Sequence, residues 1–99
     1  MGATGRGEEL LRSCGSFYGV EQMRAGKSPQ EACEAVCQRI IDINGGKDKV
    51  NFDDKMVALS KGGEVGCASI LGNKGNEPEV AYWSNKGFKV LKGSYLIES

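Results

Sequence analysis

The sequence predicts an α+β fold, with two antiparallel helices in its first half and an antiparallel meander of three to four strands in its second. Two observations carry this. Between Glu8 and Ile43 the apolar residues return at helical spacing in two blocks, each closed by its own stop signal. Beyond Asp54 they gather instead into runs of four to six residues, separated by turns rich in Gly and Asn. With 99 residues, 39% hydrophobic and 26% charged, the chain makes at most one small globular domain.

The first helical block runs from Glu8 to about Arg24, through Leu10, Leu11, Cys14, Phe17, Tyr18 and Val20. Gly15 and Gly19 lie inside it, each costing about 1 kcal/mol against Ala, which predicts that another backbone packs closely there. Gly26 ends the block as a left-handed cap would. Ser28-Pro29-Gln30-Glu31 then opens a second helix: Ser28 caps, Pro29 suits the first helical position, and Glu31 completes a capping box. Cys33, Val36, Cys37, Ile40 and Ile41 form its buried stripe, and Asn44-Gly45-Gly46 stops it. The short connection sets the two helices antiparallel.

Lys47 to Asp54 reads as a polar connector containing Phe52. The strand candidates follow: Met56–Ser60, Val65–Ile70, Glu79–Trp83 and, less regular, Phe88–Leu91. Their patterning is unusual for a sheet with one wet face, which should alternate apolar and polar residues. Val57 and Leu59 oppose Met56 and Ala58; Val65 and Cys67 oppose Ala68 and Ile70; Val80 and Tyr82 oppose Ala81 and Trp83. Both faces call for cover, yet the helices suffice for one.

Thirteen basic residues balance thirteen acidic ones, so charge steers the chain toward neither nucleic acid nor an anionic membrane. No apolar run approaches the roughly 18 residues that span a bilayer. Residues 1–25 lack the basic-then-apolar order of a secretory leader, which says nothing of destination if the chain begins within a longer protein. With no His, these residues contain neither a Ser-His nor a Cys-His nucleophile pair, nor a His-based zinc site. The four cysteines (Cys14, Cys33, Cys37, Cys67) read foremost as buried free thiols, with a metal site or redox pair as the alternatives.

The opening stretch Gly2-Ala-Thr-Gly-Arg-Gly-Glu8 admits three readings. Glycines ahead of a helix N-terminus suit a phosphate loop, but no strand candidate precedes them and no Lys-Ser or Lys-Thr follows. They also suit a plain structural lead-in. Thirdly, a Thr hydroxyl and a Gly N–H can form an oxyanion hole, since Gly lets backbone approach a ligand closely.

"ATGRGEELLR" resembles the Ala-Thr-Gly-x-Gly-Glu segment of the glycosylasparaginases (aspartylglucosaminidases) and the related plant-type L-asparaginases. The resemblance continues through "GVEQMRAGKSPQEACEAVCQRI" and "VALSKGGEVGCASI", and weakly into "VAYWSNKG", covering most of residues 2–87 in order. The helix-two segment and "GEVGCASI" are more similar to glycosylasparaginase than to the isoaspartyl-peptidase branch.

The resemblance implies an N-terminal-nucleophile hydrolase whose precursor cleaves itself to expose a threonine, with that residue's own α-amino group as base. It implies an αββα sandwich of four layers, of which this chain is a C-terminal portion. Residues 1–7 are then an active-site loop, 8–45 a helical pair of an outer layer, and 55–99 strands and tail. Thr4 and Gly5 match the oxyanion hole, and Thr4, Gly5, Arg6 and Gly7 match a substrate-contacting loop, with Arg6 at a variable, rim position. The nucleophilic threonine and the Arg and Asp that hold the substrate's carboxylate and amine belong upstream of Met1. The implied substrate is a glycosylated asparagine or asparagine, with isoaspartyl peptides as an alternative. The implied partners are the missing N-terminal portion and a second copy, with no cofactor and no metal. A non-catalytic binding module derived from this fold is the rival reading. Relatives include lysosomal and periplasmic enzymes, and the sequence does not choose between those compartments and the cytosol.

Overall fold

The structure, a computed structural model, describes residues 1–99. In chain order the elements are β1 (Gly2–Gly5), α1 (Gly7–Ser13), α2 (Gly15–Arg24), α3 (Pro29–Ile43), a single 3-10 turn (Lys47–Lys49), β2 (Asp54–Leu59), β3 (Val65–Gly72), β4 (Glu79–Ser84), β5 (Gly87–Lys92) and β6 (Ser94–Glu98). The class is α+β. No helix is long and apolar enough to cross a membrane.

The organising element is α3. The Ser28 hydroxyl accepts from the Glu31 N–H at 3.1 Å while the Glu31 carboxylate accepts from the Ser28 N–H at 3.0 Å, the reciprocal capping box the sequence predicts. Its stripe, Cys33, Val36, Cys37, Ile40 and Ile41, is fully buried against Met56 and Ala58 of β2 and Ala68 and Ile70 of β3. Gly66 makes the fit close: a Cβ there would lie 2.6 Å from the Cα of Gln30 at the start of α3. The Gln30 side chain then donates to the Cys67 carbonyl (2.9 Å) and accepts from the Cys67 N–H (3.1 Å), satisfying β3 at a point where β6 has not yet begun to pair.

The first helical block is not one helix. Cys14 takes a left-handed backbone conformation (φ 52°) and divides it into α1 and α2. The kink brings Gly15 and Gly19 against α3, where their missing side chains make room for side chains, those of Val36 and Met1, rather than for another backbone. Arg39 secures the arrangement by donating from Nε to the Ser13 carbonyl (2.8 Å) and stacking its guanidinium 4.7 Å from the Tyr18 ring centroid.

The strands also depart from a simple meander. β2 and β3 form the expected antiparallel hairpin, but β4 pairs only with β5 as a separate antiparallel ribbon. The main sheet has the order β1-β2-β3-β6, with β6 parallel to β3 and the opening residues Gly2–Gly5, expected as loop, forming the edge strand. Gly93 permits the crossing from ribbon to sheet, since its backbone lies directly on the Cys67 carbonyl, where no Cβ would fit. Helices cover one face of the main sheet. Over the other leans the β4–β5 ribbon, covering Cys67 but leaving Val57 and Leu59 in solvent.

Candidate functional site

The site is built where β1 meets β2. Thr4 lies opposite Lys55 and Gly5 opposite Asp54. The Arg6 N–H donates to the Asp53 carbonyl (3.4 Å), which marks that rung as a hydrogen-bonded one. In an antiparallel ladder such rungs alternate, so Thr4 and Lys55 also bond through their backbones, while the Gly5 N–H turns away from β2 toward the free edge of the sheet. Side chains alternate too. Asp54, Met56 and Ala58 point at the helices, whereas Lys55, Val57 and Leu59 point to the open face, which Thr4 shares with Lys55.

On that open face a cavity of about 320 Å³ lies between β1–β2 and the ribbon. Thr4, Lys55, Val57, Cys67, Glu79 and Val80 are among its walls, so an exposed hydroxyl, an ammonium and a carboxylate share one apolar groove. The Lys55 ammonium forms no ion pair.

Each of the four residues singled out from the sequence has a definite place. Thr4 is exposed on the edge strand, beside the cavity. Gly5 (φ +127°) sits where only glycine fits: a Cβ would come 2.5 Å from the Asp53 carbonyl oxygen and 2.6 Å from an Asp54 carboxylate oxygen. Arg6 precedes α1, its guanidinium 4.8 Å from the Phe52 ring centroid and its Nε 3.5 Å from the Glu8 carboxylate. Both partners of that pair are exposed, which leaves it little energetic weight. Gly7 begins α1 with open space around its Cα.

The residue beneath them is not one the sequence singles out. Asp54 is 0% exposed, and neither carboxylate oxygen has a hydrogen-bond partner. Burial pushes its carboxyl up to about 6; the nearby Arg6 amide opposes the shift, and the Asp53 and Glu9 carboxylates add to it. By contrast Asp53 accepts the Leu71 N–H at 2.9 Å. Glu9, also buried, accepts from the Asn44 amide (2.9 Å) and the Arg12 guanidinium (3.0 Å); chiefly the Asn44 bond holds its carboxyl below the usual range. The signal that could have exposed Asp54 is the two-residue period of Met56 and Ala58, which extends backward onto it.

The cysteines do not meet in one place. Cys33, Cys37 and Cys67 are buried, and burial pushes all three thiols up, Cys33 to about 12, which leaves them protonated and unreactive. Cys14, expected on the apolar stripe, is exposed because the helix breaks at it.

Comparison with known proteins brings this segment into a lineage. The chain is 40% identical over 70 residues to a protein of Elizabethkingia miricola named N(4)-(beta-N-acetylglucosaminyl)-L-asparaginase, a match covering 69% of this chain and 21% of that one. It is 36% identical over 70 residues to L-asparaginase-like proteins of Drosophila pseudoobscura and Drosophila melanogaster, covering 69% of this chain and 14% and 16% of theirs. The chain thus spans about a fifth or less of the length of these relatives. No protein-family model matches it.

Proposed function

Over the matched stretch this chain belongs to the glycosylasparaginase and L-asparaginase-like family, and from that premise we propose that it supplies the oxyanion and substrate segment of a longer N-terminal-nucleophile amidohydrolase. The substrate is a glycosylated asparagine or asparagine, cleaved at its side-chain amide. The nucleophilic threonine lies on chain outside these 99 residues, as do the groups that hold the substrate's carboxylate and amine. The whole is an αββα sandwich whose nucleophile is freed by self-cleavage.

In the reaction, a threonine hydroxyl attacks the amide carbon while its α-amino group takes the proton. Negative charge collects on the former carbonyl oxygen. When the C=O re-forms, the amide C–N bond breaks, the α-ammonium returns its proton to the departing nitrogen, and a threonine ester remains. The Thr4 hydroxyl and the Gly5 N–H donate to that oxygen, and the same pair serves again when water cleaves the acyl ester. The single observation that supports this best is the register at the sheet edge: Gly5 has an N–H free of the ladder, next to a Thr whose side chain shares the face of the cavity. Lys55, in register with Thr4, adds positive potential on the same wall.

The experiment is Thr4→Ala and Thr4→Ser in an intact enzyme carrying this segment. Alanine lowers kcat by roughly 10²-fold, the scale of one lost oxyanion donor, with KM little changed, and serine restores most of the rate. An unchanged kcat for Thr4→Ala refutes the role.

A further inference from the structure

The oxyanion role leaves unused the most anomalous group in the molecule, a carboxyl wholly withdrawn from solvent with neither oxygen hydrogen-bonded. A buried polar group without a partner costs free energy, and a buried charge without one costs much more. Asp54 stands at the first position of β2, in register with Gly5, and one of its oxygens fills the space that a Gly5 Cβ would need. The contact is therefore mutual: Gly5 closes over the carboxyl, and the carboxyl is what Gly5 rests on.

Burial outweighs the one group that favours its ionised form, Arg6, whose N–H is bonded at 3.4 Å to the Asp53 carbonyl. Asp53 immediately precedes it, just outside β2, Glu9 faces it from α1, and the buried Cys37 thiol lies near it on α3. Arg6 is the nearby cation, and its guanidinium is engaged with Phe52 and Glu8 instead. Arg12 is occupied by Glu9.

We propose that Asp54 is a positioning residue for the Gly5–Arg6 peptide: with its carboxyl neutral, the end of β1 seats on β2, and ionisation of that carboxyl shifts or releases this seat. The consequence reaches the candidate donor through one pivot, because the Gly5 N–H belongs to the Thr4–Gly5 peptide, which joins the Gly5–Arg6 peptide at the Gly5 Cα. This coupling is independent of the substrate, and it would hold if Thr4 and Gly5 had another role.

The test uses an intact protein carrying this segment, with its Asp carboxyl carbons and backbone amides labelled and followed by NMR between pH 4 and 8. The Asp54 carboxyl is expected to titrate near pH 6, with the Gly5 and Arg6 amide resonances moving through the same midpoint. Asp54→Asn abolishes that amide transition, whereas Asp53→Asn preserves it. Two results overturn the proposal: Asp54 titrating in the ordinary carboxylate range, or Gly5 and Arg6 amides that stay still while it titrates. Both are observed on the unmodified protein, so neither depends on whether a variant folds.

Discussion

At Gly66 one missing Cβ decides how near the principal helix can come to the sheet. Alanine there would strike the Gln30 backbone, which cannot swing aside as a side chain can, so Gly66→Ala should cost about 1–3 kcal/mol in urea unfolding. A change within about 0.5 kcal/mol, the range of an inconsequential surface substitution, would show that α3 has room to retreat. Asp54 acts by charge rather than volume. Its folded pKa of about 6 lies above the 3.8 of a free carboxyl, so between those values the unfolded chain gives up a proton that the folded chain retains. Stability should therefore fall as pH rises from about 4 to 6 and stay lower above that. Asp54→Asn, which carries no charge at any pH, should melt higher relative to the parent at pH 7 than at pH 4. The gain should be on the order of 10 °C, as about 2 kcal/mol produces in a chain this short. A difference in Tm that is the same at both pH values would mean that Asp54 is not electrostatically strained.

Among the elements, α3 was the most legible in the sequence because independent signals agreed there: cap, proline, stripe and stop. Ser28→Ala removes half of the reciprocal cap and should destabilise the chain by about 1 kcal/mol, measured by the same urea titration. An unaltered midpoint would mean that packing alone fixes where the helix starts. The break at Cys14 was not legible, since the apolar rhythm runs straight across it and a left-handed cysteine contradicts local preference. What selects it is tertiary, the docking of Gly15 and Gly19 on Val36. β6 was hidden for a different reason. Tyr95, Leu96 and Ile97 follow β5 with only Gly93 and Ser94 between, and a two-residue period does not reveal that the chain has moved to another sheet. In the candidate site, Thr4 to Gly7 stood out through motif and resemblance. Asp54 did not, because an acidic residue after Phe52-Asp53 reads as connector until the register of β2 is known.

For the molecule as a whole, the apolar surface is the telling quantity. Trp83 (77% exposed), Leu59 (64%), Phe88 and Val90 lie on the ribbon and the open face, while Leu11 (81%) and Phe17 (69%) stand out from α1 and α2. Leu59 and Trp83 are among the positions that the two-sided strand patterning leaves uncovered, whereas Leu11 and Phe17 belong to a helical stripe expected to be buried. Exposed apolar side chains of this size commonly mark surfaces that meet other protein. In sedimentation and dye-binding experiments the isolated chain should self-associate and bind a hydrophobic dye. A monodisperse monomer that binds none would show that these side chains are tolerated in water as they stand.

The central claim is that this chain furnishes an oxyanion segment and not the nucleophile. The measurement that meets it most directly is aspartate release from N-acetylglucosaminyl-asparagine and from asparagine by the purified 99-residue chain. The account predicts no release above the uncatalysed rate. Turnover that disappears in Thr4→Ala would contradict it, since the attacking group would then lie within the chain itself.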